Sequence, residues 1–225
     1  MLIGTETLLD SLDRKIEEFH LLKHPFYRAW TEGRLSRETL AHYAEQYYRH
    51  VQAFHAHLQQ LENRSSGELC KIVRENREEE LDPAGPHPQL WRNFAAALGV
   101  NEEQLASVQP LPGIANLVAT YDDLARRGSL AEAVAAFYSY EAQVPEIAAQ
   151  KRSGLARFYG IDQPRAVAYF AVHEEADVRH RAGWRNWLAT QHDLDFTAIV
   201  AAAERGLKAL WNALDAVFPE ACAAN

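Results

Sequence analysis

The sequence predicts an all-α protein, a bundle of helices, and three observations carry that reading. Apolar residues recur with a helical period in almost every segment, no stretch alternates as a strand would, and the Pro-rich connections at 82–88 and 110–113 are short enough to join helices of one body. With 225 residues, 48% of them hydrophobic and 24% charged, the chain can bury a sizeable core, and the helical reading favours a single domain over residues 1–225.

The elements follow in order. Residues about 5–22 form an amphipathic helix closed by the break at His24–Pro25. Ser36 caps a long helix to about Asn63, with Leu40, Tyr43, Tyr47, Val51, Phe54, Leu58 and Leu61 along one face. Gly67 starts another to about Leu81, followed by the stiff loop Asp82–Pro83–Ala84–Gly85–Pro86. Pro88 suits a first helical position, so His87 is read as the cap of a helix that Gly99 ends. Asn101 with Gln104 has the pattern of a capping box, and Pro110–Leu111–Pro112–Gly113 makes a turn. Helices follow at about 114–126 and 129–151, the second opened by Ser129 with Glu132, then a short one near 153–159. Two long helices occupy about 163–191 and 195–218, the last stopped by Pro219.

Chemistry enters where polar residues interrupt the apolar stripes. His173, Asp177 and His180 stand at i, i+4 and i+7, on the face that Phe170, Trp184 and Leu188 continue. Burying such groups uncompensated costs several kcal/mol each, on the order of the penalty for unpaired buried polar groups, and a metal ion compensates them most simply. Glu141 intrudes in the same way on the stripe Leu130, Val134, Phe137, Val144, Ala148. Pro145, four residues on, has no N–H for the Glu141 carbonyl, so the helix should open there. Glu80 continues Leu69, Val73 and Asn76 at the same spacing, and His87 follows on the rigid loop. These oxygen and nitrogen donors, without cysteine, suit iron or manganese better than structural zinc. His173 and His180 are about 10.5 Å apart along a helix axis, too far for one ion with bonds of about 2 Å, so two ions fit better. Asp177 and His180 would then share one of them. Glu17 with His20 reads as a solvated face, and His50, His55 and His57 are assigned to differing faces and to no metal.

The bulk properties exclude other classes. A net charge of −8 with no basic run argues against nucleic acid or anionic membrane as a partner. The N-terminal stretch Met1–Leu2–Ile3–Gly4–Thr5–Glu6 has no leader pattern, and no run approaches the roughly 18 apolar residues of a membrane span. Cys70 and Cys222 are too few for a disulfide framework or a thiolate site, and the expectation is a soluble cytoplasmic protein.

Three segments carry a family resemblance over nearly the whole chain: His173–Glu174–Glu175–Ala176–Asp177–Val178–Arg179–His180, Tyr138–Ser139–Tyr140–Glu141, and His24–Pro25–Phe26–Tyr27–Arg28–Ala29–Trp30. Together with Leu98–Gly99–Val100 and Gln143–Val144–Pro145 they closely resemble the family of the chlamydial protein associating with death domains. The resemblance implies a haem-oxygenase-like helical bundle, beside thiaminase II and pyrroloquinoline-quinone synthase, around a non-haem di-metal centre that uses dioxygen and an external reductant. It places the metal ligands on Glu80, His87, Glu141, His173, Asp177 and His180, the residues also reached from periodicity. It further implies an enzyme making 4-aminobenzoate for folate from its own side chains, with Tyr27 as ring source and Lys151 as amino donor. Tyr43 and Tyr140 match family tyrosines, as radical-relay candidates or as packing residues. A homodimer is compatible with the resemblance.

Three alternatives compete with that reading. One is a di-metal oxygenase of the same fold acting on a free small molecule, with Tyr27 and Lys151 only lining the pocket. A thiaminase-like hydrolase would need a cysteine nucleophile, and neither Cys70 nor Cys222 has a base arranged beside it. A non-enzymatic interaction protein would need an exposed apolar helix face, whereas the stripes here are required for one core.

Overall fold

The computed structural model describes residues 7–218. Among them every regular element is helical, as expected, in eleven α-helices joined by short turns. Thr7 and Asp10 form a reciprocal capping box that starts α1, Leu8–Glu18. This helix stops four residues before the predicted end. The chain passes through a 3₁₀ turn, Leu21–Lys23, because Pro25 forces His24 into an extended conformation (φ −65°, ψ 141°). The His24 ring then accepts from the Phe26 amide and caps α2, Pro25–Thr31. Helix α3, Arg37–Arg64, begins at the Ser36 cap, and α4 spans Gly67–Glu80.

In α5, His87–Ala97, the cap position belongs to Pro86 and His87 is the first helical residue, one position inside the predicted boundary. The short α6, Glu102–Ser107, has the predicted Asn101–Gln104 capping box, and α7 runs Pro112–Arg127. The expected single helix over 129–151 is two: α8, Leu130–Glu141, and α9, Val144–Gly154. Pro145 has no amide to return to Glu141, and the ladder breaks fully at Ala142–Gln143 rather than loosening. The buried Gln143 mends the break. Its side chain donates to the Ser139 carbonyl at 3.0 Å and accepts from the Leu21 amide at 2.8 Å, tying the 3₁₀ turn to the break. A π-helical turn, Leu155–Tyr159, ends on Gly160, whose φ of 66° suits a residue without a side chain. Helix α10, Pro164–Ala189, and α11, Phe196–Val217, complete the bundle; the predicted stop at Pro219 and Cys222 lie outside the described residues.

Helix α10 packs against α9, α5 and α8, α11 against α7 and α8, and α3 against α7, α4 and α5. Their inward stripes make one extended apolar core in which Trp30, Trp91, Trp184, Phe94, Phe137 and Phe170 are fully buried. The indoles are paired as well as packed: Trp91 donates to the Ala44 carbonyl at 2.8 Å and Trp30 to the Lys151 carbonyl at 3.2 Å. The second bond pins α2 to α9, and Gly154 lets the helices come that close. A Cβ there would stand 2.7 Å from Trp30 Cδ1. Because Trp30 is enclosed and cannot swing away, Gly154→Ala is expected to lower stability by about 1–3 kcal/mol, the usual cost of overpacking. Urea unfolding should show this as a lower midpoint with an unchanged slope.

Candidate metal centre

Six ionisable residues converge inside the bundle from four helices. Glu80 ends α4, His87 starts α5, Glu141 ends α8, and α10 contributes His173, Asp177 and His180 from its core stripe. All six are at most 8% exposed. They form two groups, Glu80–His87–His173 and Glu141–Asp177–His180, and in each the potential ligand atoms lie within 4.8 Å of one another. The α10 triad is therefore divided as its rise demands: His173 falls in one group, Asp177 with His180 in the other.

The first group has two imidazoles and one carboxylate. His87 Nδ1 is 2.9 Å from Glu80 Oε1, yet it is not aligned as a hydrogen bond and has no other partner. Two donors about 2.1 Å from one ion and at right angles to each other stand about 3.0 Å apart, the spacing seen here. His173 Nδ1 lies 2.7 Å from the Tyr169 carbonyl. A carbonyl only accepts, so Nδ1 carries the proton and Nε2 keeps its lone pair, as a metal ligand must. Burial raises the Glu80 carboxyl, but the His87 imidazole outweighs it and the net shift is downward. His87 is lowered by burial and raised further by Glu80, for a net rise.

The second group has two carboxylates and one imidazole. Asn76 donates to Glu141 Oε1 at 2.9 Å and the Trp184 indole to Oε2 at 2.5 Å, which fixes the plane of the carboxylate. His180 Nδ1 is 3.3 Å from Asp177 Oδ1, and Nε2 is 3.2 Å from Glu79 Oε2. Asp177 Oδ2 has no hydrogen-bond partner. Burial, with Asp177 adding to it, lifts the Glu141 carboxyl to about 8 despite His180. Burial lowers His180, but Asp177 and the other carboxylates carry it up to about 9. A Glu141 carboxyl raised by burial beside an imidazole held charged is the sign of a buried acidic cluster short of positive charge. Divalent ions supply that charge, and the orphaned nitrogen and oxygen atoms supply the donors. The residues present fit two metal ions.

A layer of phenols and one amine borders the first group. Lys151, 5% exposed, donates to the Tyr43 hydroxyl at 2.7 Å, and the Tyr27 hydroxyl is 3.5 Å from that of Tyr43. The Tyr47 and Tyr140 hydroxyls are 3.3 Å apart. No carboxylate offsets the burial of Lys151, which lowers its ammonium to about 7. Burial pushes the Tyr27 phenol far above its ordinary range. A cavity of about 20 Å³ is lined by Tyr27, Tyr47, Tyr140, Lys151 and His173, so the phenol layer and the first group share one space.

The structure thus brings the six predicted ligands together with Tyr27, Tyr43, Tyr140 and Lys151. It adds Asn76, Trp184 and Tyr47, which the sequence places on helix stripes without a chemical role, His50, which the sequence assigns to no metal, and Tyr169. Asn76 could have been found as a polar residue in the stripe leading to Glu80. His50 and His57 do not lie on differing faces: seven residues apart, both are buried on the inner side of α3, while His55 is half-buried. Cys70, half-buried near the start of α4, accepts from Arg74 and joins neither group.

A helical bundle that buries paired histidine–carboxylate groups beside a layer of phenols is the architecture of a non-haem metal oxidoreductase. Residues 41–211 match the family described as iron-containing redox enzymes, and the chain belongs to that family. A 4-aminobenzoate synthase of Nitrosomonas europaea is 37% identical, over 98% of this chain and 95% of its own length. Among solved structures, a TenA homologue from Pseudomonas syringae superposes with a TM-score of 0.80 at 16% identity, covering 95% of this chain and 97% of its own. A domain of unknown function with a heme oxygenase-like fold from Shewanella denitrificans superposes with a TM-score of 0.77 at 18% identity, over 98% and 94% of the two chains. The fold is haem-oxygenase-like.

Metal content should separate the two groups. Asp177→Ala or His180→Ala is expected to lose about one ion per chain from the second group, and His173→Ala about one from the first, since each removes one of three donors. Elemental analysis of folded protein, checked by circular dichroism, reads this directly. Full occupancy in Asp177→Ala would refute the assignment.

Proposed function

We propose that the protein makes 4-aminobenzoate by oxidative excision of its own Tyr27 side chain, with Lys151 as the source of the amino group and Glu80, His87, Glu141, His173, Asp177 and His180 holding two iron or manganese ions. The placement of Lys151 supports this most strongly. Tyrosine carries a carbon substituent and an oxygen at opposite ends of its ring, and 4-aminobenzoate carries a carbon and a nitrogen at the same two ends. The conversion therefore needs an amine at the hydroxyl end. Lys151 Nζ is 5.1 Å from the Tyr27 ring centroid and bonded to the hydroxyl that adjoins that of Tyr27.

With the ions bound, dioxygen and an external electron donor supply the redox power that carbon–carbon cleavage at a phenol side chain requires. The chain's own residues supply the rest. Trp30 and the His24 cap fix α2 and hold Tyr27 in the cavity. Tyr43 accepts from Lys151, so the deprotonated amine keeps its lone pair free for the ring. The six aromatic rings within 5.8 Å of Nζ keep water away and hold the amine neutral near physiological pH. The match to the Nitrosomonas europaea synthase along nearly its whole length supports the same reading. Action on a free aromatic substrate is disfavoured by volume, because about 20 Å³ of space is far below the roughly 300 Å³ of ordinary small-molecule pockets.

Protein loaded with iron or manganese, reduced and exposed to air should release no more than about one equivalent of 4-aminobenzoate, since the substrate is part of the chain. Mass spectrometry should find the matching loss at Tyr27, and ring-labelled tyrosine should pass its label to product only when it is incorporated in the chain. Tyr27→Phe should yield no product while keeping both metals. Multiple turnovers by Tyr27→Phe on an added small molecule would refute self-sacrifice.

The pH dependence follows from Lys151. Below about 7 the amine is an ammonium without a lone pair, and above it the neutral form dominates, so single-turnover product formation should rise with pH through about 7. Lys151→Arg, which stays charged throughout, should retain metal and release no product. A flat profile across that range would remove Lys151 as the amino donor.

A further inference from the structure

A fourth buried imidazole lies beside the two metal-binding groups and belongs to neither. Helix α3 sets His50 on its inner face at 1% exposure. Its ring meets those of Tyr47, Phe54, Tyr121 and Tyr140 edge-on, at centroid separations of 5.2, 5.7, 5.8 and 5.4 Å. These walls fix the imidazole without hydrogen-bonding it, and neither ring nitrogen has a partner. Burial, with His57 adding to it, lowers His50 to about 3, so the ring is neutral and offers one N–H and one lone pair. Buried polar groups are almost always paired, which directs attention to the space the ring faces.

That space is a cavity that His50 lines together with Glu80 and His173 of the first group and Glu141 and Asp177 of the second. Its volume is about 10 Å³, room for roughly one water-sized molecule. Nearby donors have partners of their own: the Trp184 indole and one Asn76 N–H on Glu141 and His173 Nδ1–H on the Tyr169 carbonyl, while the Tyr140 and Tyr47 hydroxyls pair with each other. His50 lines the cavity with both ring nitrogens unpartnered, so its N–H is available to a ligand there.

We propose that His50 donates a hydrogen bond to a di- or triatomic ligand of the two groups whose small accepting end atom occupies this cavity, the class that includes dioxygen and azide. The assignment makes His50 a binding residue for the small co-reactant, and it rests on the reading of both groups as metal-binding.

Azide tests it without turnover. Wild-type, His50→Phe and His50→Gln proteins are loaded with iron, assayed for metal, and titrated with azide by its charge-transfer absorption. All three should hold the same metal. The dissociation constant for azide should rise about tenfold in His50→Phe, the loss of one hydrogen bond, and stay within about threefold of wild type in His50→Gln, whose amide restores a donor. Unchanged azide affinity in fully loaded His50→Phe overturns the proposal, as does a loaded wild type that binds no azide. Loss of metal from His50→Gln overturns it too, by making His50 a ligand. Should His50→Phe fail to fold, a crystal structure of azide-bound wild type decides: a His50 nitrogen within about 3.2 Å of azide supports the proposal, and one bonded instead to the Tyr121 hydroxyl overturns it. Release of 4-aminobenzoate from the same wild-type sample reports on the synthase reading separately, since azide affinity is read with or without product.

Discussion

Three carboxylates and three imidazoles lie beneath the surface of a helical bundle, and compensating them is the constraint on which the rest of the structure depends. Bulk water scarcely touches these groups, so each needs charge or a hydrogen bond from the protein or from an ion. The protein supplies only part: Asn76 and Trp184 for Glu141, the Tyr169 carbonyl for His173. The remainder, including the His87 and Asp177 donor atoms, is left facing inward without partners. Such a centre is poorly compensated when empty, and the same incompleteness suits its donor set to divalent metal. Four helices have to be placed accurately for this to work, and fully buried rings such as Trp91, Trp184, Phe94, Phe137 and Phe170 help to fix them.

The break between α8 and α9 serves that constraint directly. Pro145 ends α8 at Glu141, so the carboxylate leaves from a helix terminus and reaches the centre instead of lying along a continuous helix wall. The cost of the lost backbone bonds is met by Gln143, which satisfies Ser139 on one side and the Leu21 amide on the other. That second bond couples the break to the turn before α2, the helix that carries Tyr27. The cluster of six ionisable residues and the phenol layer are thus joined through backbone as well as through the cavity they share.

Lys151 shows the same physics with the opposite outcome. The acidic groups are buried together and call for positive charge, whereas Lys151 is buried among rings without a carboxylate and its ammonium is lowered to about 7. A neutral amine beside a phenol in a dry space is of little use to stability and is well suited to carbon–nitrogen chemistry. Its position depends on Trp30, which reads the Lys151 carbonyl, and on Gly154, which lets the indole approach.

Much of this was legible in the chain because helices repeat. A stripe that should be apolar marks each polar intruder, so His173, Asp177, His180, Glu141 and Glu80 stood out by phase alone, and the rise per residue already separated His173 from His180. Local steric rules likewise exposed the Ser36 cap, the Asn101–Gln104 box and a weakness at Pro145. What periodicity cannot state is which stripes face one another. His50 has the same inward phase as Tyr43 and Tyr47, but nothing along the chain says that α3 meets the ends of α4 and α8, so its place beside Glu80 and Glu141 appears only when the helices pack. Nor does any local rule pair Trp184 with Glu141 or set Lys151 against Tyr27, residues separated by 43 and 124 positions. The sequence by itself determined the helices, their inner faces and the donor types, because these follow from short-range sterics and from burial of apolar surface. Only the tertiary structure decided the partition into two groups of three, the orientation of Glu141 and the aromatic enclosure of His50 and Lys151, because these depend on distances between helices that no local interaction sets.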